Sequence, residues 1–192
     1  NNRSLIFYTN GLLGKFHSSK YDTFESFMHA LSYWSSWSNG FNIWRKDFEQ
    51  IGNIKLNHLF PHTSLFLTQH NAKEYCINDS LLFDVQRIPK RGGHNKFEAF
   101  TIEYPSLIDQ CRKEGFISEN CERHILHDIM IEFLPSLIFN KYIARIETFD
   151  ATNFRQNIKR YFPKYAYGLV MFLSLLQPIK LVVRKINTAI HK

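Results

Sequence analysis

The sequence lacks a run long enough to cross a bilayer. The uncharged stretch from Ala166 to Ile179 is 14 residues, a spanning helix needs about 20, and Pro178 would bend it. Cysteine is scarce: Cys76, Cys111 and Cys121 are odd in number and form no Cys-x-x-Cys or zinc-type spacing. That excludes a disulfide framework and reads as reduced thiols in the cytoplasm. No Walker spacing, His-Glu-x-x-His motif, Ser-His-Asp order or cluster of metal ligands occurs. Neither a low-complexity tract nor an internal repeat is present, which excludes solenoids and disordered chains. The first methionine is Met28 and no signal peptide opens the chain, so it is expected to be a segment of a longer protein.

What is present is a globular composition of 192 residues, 44% hydrophobic and 21% charged, rich in aromatics with 18 Phe and 9 Tyr. Such a length can bury a substantial core. The net charge of +7 is not evenly spread. Residues 141–192 hold ten Lys and Arg against two acids, while residues 1–140 hold fourteen against fifteen. The basic excess therefore belongs to the C-terminal part and points to an anionic surface, membrane or nucleic acid. Aromatics do not alternate with the basic residues there and no RNA-binding signature occurs, so nucleic acid is not expected.

In chain order, Leu5 to Tyr8 reads as a strand and Gly11 to Lys20 as a loop. Asp22 or Thr23 can cap a helix with Phe24, Phe27, Met28, Leu31 and Trp34 on one face. Phe41 to Trp44 reads as a strand, and Arg45 to Gly52 as a short helix with Phe48 and Ile51 inward. Pro61 opens a helix running from about Thr63 to His70. Glu74–Ile77 and Leu81–Arg87 read as two more strands. From Lys96 onward the periodicity is helical, over 96–114, 118–140 and 150–161. The expectation is an α/β part over 1–95 and an all-helical part over 96–192 that ends in a basic amphipathic tail. The run 166–179 is either a core helix or a helix lying in a membrane interface.

Three groups of residues could carry chemistry. Arg87, Lys90, Arg91 and His94 put three cations and an imidazole in one loop, with Gly92 and Gly93 permitting close backbone approach. That suits a diphosphate, or it is a solvated basic loop. Trp34 and Trp37 precede Asn39 and Gly40: indole faces stack on sugars and the amide can bond hydroxyls, while Trp34 also fits a core helix face. His62 at a proline-led helix start is either a proton acceptor or a structural cap. All but the loop lie within Tyr33–Phe66, an aromatic and turn-rich stretch.

The order of these motifs resembles family 2 glycosyltransferases over roughly residues 30 to 135. Trp34 to Gly52 looks like their Ser-Gly-type turn, strand and basic helix ending in Ile-Gly. Leu59-Phe-Pro-His-Thr-Ser-Leu-Phe66 is similar to the Leu-Pro-His segment of the abequosyltransferase-like, O-antigen branch. Leu81 to Arg87, the Gly-Gly loop, Phe97 and Phe100, and Arg112 to Ser118 follow in the order of that branch. The resemblance implies the acceptor-side half of a GT-A-type nucleotide-sugar fold, with the donor half expected before Asn1. It implies inverting transfer to a saccharide or lipid-linked acceptor in cell-surface polysaccharide synthesis, and a divalent Mn or Mg ion. His62 would act as catalytic base, with Arg87, Lys90, Arg91 and His94 facing the donor diphosphate. Trp34, Trp37, Asn39 and Gly40 would border the acceptor. The chain departs from the family in having no Asp-x-Asp, and in placing Pro61-His62 where many members carry a carboxylate base. The base is then His62 or a residue elsewhere. A lipid-linked acceptor fits the basic tail, at the inner face of the cell membrane. The competing expectation is a non-catalytic domain that holds an anionic membrane or a partner through that tail.

Overall fold

A computed structural model describes residues 4–84 and 93–180. Arg87, Lys90 and Arg91 lie outside the described residues. The architecture is mixed α/β: every described strand precedes Asp79, and residues 93–180 hold only helices, turns and bends. Two compact units are present, one of 4–84 with Glu103–Ile125 and one of 93–102 with 126–180. The boundary expected at 95/96 falls inside the sequence range of the second.

The first unit is built on a three-stranded sheet. β1 (Ser4–Tyr8) runs parallel to β3 (Glu74–Asn78), and β2 (Ser18–Tyr21) pairs antiparallel with β3, so β3 is central. Alternation is clean on β1 and β3, where Leu5, Phe7, Tyr75 and Ile77 point inward. Helix α1 (Phe24–Leu31) starts at Thr23, whose Oγ1 accepts the Ser26 N–H at 3.1 Å. It buries Phe24, Phe27, Met28 and Leu31, the face expected from their spacing. Phe66 of α3 (Pro61–Leu67) completes the core, edge-on to Phe7 at 5.4 Å and 5.9 Å from Phe27. Each such ring contributes about 1.5–3 kcal/mol by leaving water, so this aromatic cluster holds the sheet to its helices.

Four local expectations are corrected. Residues 18–20, expected to be loop, form β2 together with Tyr21; its polar, half-exposed residues give no apolar alternation to read. Phe41–Trp44 is no strand: Phe41 makes one isolated bridge to Phe7, and then the Asn42 side chain donates to the Ile6 carbonyl at 2.7 Å and ends the ladder. Residues 81–84 are no strand either, for a reason given below. In α2 (Arg45–Gln50) nothing is buried, and Phe48 is 51% exposed rather than inward.

The second unit packs around Phe97 of α4 (Lys96–Glu98), which stacks on Phe154 at 4.3 Å and meets Phe149 edge-on at 5.4 Å. Asn95 caps α4, accepting the Phe97 and Glu98 N–H groups. Lys96 closes the cluster with a 2.6 Å ion pair to Glu147. The helical runs are interrupted by wide π turns at Ala99–Glu103, Ile129–Phe133 and Phe139–Ile143. The first two end just before the prolines of α5 (Tyr104–Lys113) and α7 (Leu134–Ile138). A proline lacks the N–H and its ring crowds the carbonyl four residues back, and a wider turn relieves both. α6 (Glu119–Asp128), α8 (Phe154–Asn157) and α9 (Ala166–Leu175) complete the elements. Among the described residues no helix is long and apolar enough to cross a membrane.

Candidate functional site

The parallel strands β1 and β3 finish side by side, and the Thr9 N–H donates to the Asn78 carbonyl at 3.0 Å. Asp79, the next residue, is fully buried. Its carboxylate accepts from the Thr9 hydroxyl at 2.5 Å and from the N–H groups of Leu13, Lys15 and Phe16 at 3.2, 2.7 and 3.1 Å. Burial pushes this carboxyl up, but the Thr9 bond and the three backbone donors outweigh it and hold it below the usual carboxylate range. With both oxygens engaged twice, Asp79 is the anchor of loop 9–16. That loop turns through positive φ at Asn10, Gly11, Gly14 and Phe16.

Asn10 carries the geometry outward. Its Oδ1 accepts the Leu82 and Phe83 N–H groups at 2.7 and 3.1 Å, and its Nδ2 donates to the Phe83 carbonyl at 2.9 Å. Residues 82 and 83 thus give their backbone bonds to one side chain, which is why this apolar run forms no strand. The clamp sets the Phe83 ring 6.3 Å from that of Trp37.

Trp34 sits in the 3₁₀ turn Ser32–Ser36, half-buried, with its ring 5.0 Å from Tyr33. Trp37 follows, also half-buried, and Asn39 is exposed. Gly40 is buried against β1: the Tyr8 N–H donates to its carbonyl at 2.9 Å, and a Cβ there would lie 2.2 Å from the Phe7 ring. Its place is that close approach to Phe7 and Tyr8 of β1. The turn is pinned from beneath by Tyr104, fully buried, whose hydroxyl meets the Ser35 hydroxyl at 2.6 Å and donates to the Ser32 carbonyl at 3.3 Å. Burial raises the Tyr104 phenol well above its usual value, so it stays neutral.

His62 reaches this turn from α3. Its Nε2 lies 2.7 Å from the Ser36 carbonyl oxygen. A carbonyl only accepts, so Nε2 carries the hydrogen, and in the neutral ring Nδ1 is left as an acceptor with no hydrogen-bond partner among the described residues. The start of α3 is held by Asn57, which accepts from the Leu59 and Phe60 N–H groups and donates to Glu103 at 2.7 Å. The structure therefore brings His62 to the backbone of the turn that carries Trp34 and leads into Trp37, with Ser36 as the link. Asn39 lies two residues beyond Trp37. His94 is exposed and belongs to the other unit.

Two grooves of the first unit lie off this face. One of about 660 Å³ is lined by Trp44, Gln50, Thr68 and Gln69. Another of about 430 Å³ is lined by His70, Phe116 and Cys111. Neither groove is lined by His62, Trp34 or Trp37. For a divalent metal, no group of three or more His, Cys, Asp or Glu among the described residues is placed to hold one, and Asp79 has no oxygen to spare.

All three cysteines are free thiols, and burial pushes Cys111 and Cys121 up to about 12. The anchors Asp79, Asn10, Asn57 and Tyr104 escape sequence reading. Two of them, Asn10 and Asp79, are hinted at only as turn signals, in the Thr9-Asn10-Gly11 and Asn78-Asp79-Ser80 that each follow a strand. Compared with protein-family models, curated proteins and solved structures, the chain matches none.

Proposed function

We propose that this chain is the acceptor side of a GT-A-like sugar transferase. It would help move a sugar from a nucleotide-sugar donor to a saccharide or lipid-linked acceptor with inversion. The observation that carries the reading is the His62 imidazole held through Nε2 by the carbonyl of Ser36, the residue just before Trp37, with Nδ1 left without a hydrogen-bond partner among the described residues. A sugar hydroxyl resting against Trp34 or Trp37 gives its proton to Nδ1. Its oxygen attacks the anomeric carbon, and the bond from that carbon to the diphosphate breaks. The electron pair leaves with the nucleoside diphosphate, whose charge the resemblance assigns to Arg87, Lys90, Arg91 and His94. Asn39, exposed beyond Trp37, supplies an amide for acceptor hydroxyls. Gly40 serves the acceptor by letting the turn sit close to β1.

The test uses the complete protein and a panel of nucleotide-sugars. The expected result is release of nucleoside diphosphate that depends on a saccharide acceptor, with Trp37→Ala raising the acceptor KM at least about tenfold through loss of stacking. Absence of acceptor-dependent release from every donor would overturn the reading in favour of a non-catalytic domain.

A further inference from the structure

The α9 helix and the residues just after it leave several large apolar side chains outward while Leu169 and Leu173 are half-buried and two polar side chains are buried. The buried positions are Ala166, Val170, Ser174 and Gln177. Ser174 satisfies its hydroxyl on the Met171 carbonyl at 2.6 Å, and Gln177 accepts from the Ser136 hydroxyl at 3.2 Å. The outward positions are Phe172, Leu175 and Ile179, 58%, 65% and 62% exposed, bordered by Met171 and Leu176. Spaced at three, four and seven residues, they form one stripe. A helix facing water has the opposite arrangement, so this stripe is made to be covered.

Charge identifies the cover. Residues 154–180 contain Arg155, Lys159, Arg160, Lys164 and Lys180, all exposed, and no Asp or Glu. Arg155 sits against α9 itself, its guanidinium 5.6 Å from the Tyr167 ring. The sequence continues to Lys192 with three more Lys and Arg and no acid. A second copy of the chain on this face would bring cations against cations, whereas an anionic bilayer complements both the stripe and its charge. We propose that the outer face of α9 is a docking surface for an anionic lipid bilayer. The helix lies in the headgroup plane with Phe172, Leu175 and Ile179 toward the acyl chains. This inference stands apart from the sugar-transfer reading.

The test is co-sedimentation of the full chain with vesicles of phosphatidylcholine alone and of equal phosphatidylcholine and phosphatidylglycerol. The chain is expected to bind the mixed vesicles, to release with added salt, and to bind the neutral ones far less. Replacing the stripe by Phe172→Ser with Leu175→Gln removes at least about tenfold in partition. Lys164→Gln removes about fivefold. Both changes are at exposed positions, and an unchanged thermal melt by circular dichroism verifies folding; the charge variant keeps the test alive if the double variant does not fold. Absence of binding to the mixed vesicles, or binding unaltered by both sets of changes, overturns the proposal. So does a lipid-free dimer that the double variant dissolves, since the cover would then be a second copy.

Discussion

Replacing Asp79 by Asn should loosen the first unit far more than its conservative shape suggests. The carboxylate accepts four hydrogen bonds, two on each oxygen. The amide keeps one oxygen and turns an NH₂ group toward the donors that faced the other. Two donors, for example Lys15 N and Phe16 N, then lose their acceptor, at about 1–3 kcal/mol each when buried. Their partial access to water holds the total to about 3 kcal/mol. With a urea slope of about 2 kcal/mol per M, the midpoint falls by about 1.5 M. Trp34, Trp37 and Trp44 all lie in the first unit, so tryptophan fluorescence reads its unfolding separately from the second. The effect also has a pH signature. A carboxyl held below its usual value in the folded state contributes stability that is complete above its unfolded pKa, about 4, and is lost as pH falls through the lower folded value. The gap between wild type and Asp79→Asn should therefore be full at pH 7 and narrow below pH about 4. Equal midpoints at pH 7, or a gap that persists undiminished at low pH, would refute the anchoring role.

Other outcomes follow from the same geometry. Gly40→Ala drives a methyl into the Phe7 ring and to 2.6 Å from the Tyr8 carbonyl oxygen; a loss of about 3 kcal/mol is expected in the same fluorescence titration, as for overpacking. Tyr104→Phe removes the hydroxyl that pins Ser32 and Ser35, and should cost about 1–2 kcal/mol and shift the tryptophan emission. Native-state alkylation at pH 8 should spare Cys111 and Cys121, whose thiols burial holds near 12, until the chain is unfolded.

What could be read from the sequence was whatever rests on local periodicity. Phe24, Phe27, Met28 and Leu31 behind Thr23 announce α1, and the apolar strands β1 and β3 and the proline-led α3 are as plain. Elements decided by distant partners were not. Leu81 to Phe83 has the composition of a strand, yet Asn10, more than seventy residues away in sequence, takes its backbone donors. β2 is a polar edge strand recruited by β3, and Phe41 is cut off after one bridge by the Asn42 amide. At the candidate site, the nearness of Trp34 and Trp37 is visible in their spacing. The bond from His62 to Ser36 is not, since it spans 26 residues and depends on Tyr104 and Asn57 to fix both ends.

The sugar-transfer account rests on His62 more than on any other residue. In the complete protein, His62→Ala should leave donor nucleotide binding and the thermal melt intact. It should lower the acceptor-dependent rate about 10²- to 10⁴-fold, as expected for loss of a positioned base, and added imidazole should restore part of that rate. Transfer by His62→Ala at the wild-type rate, or a loss that imidazole leaves untouched while the fold is unchanged, would contradict the account.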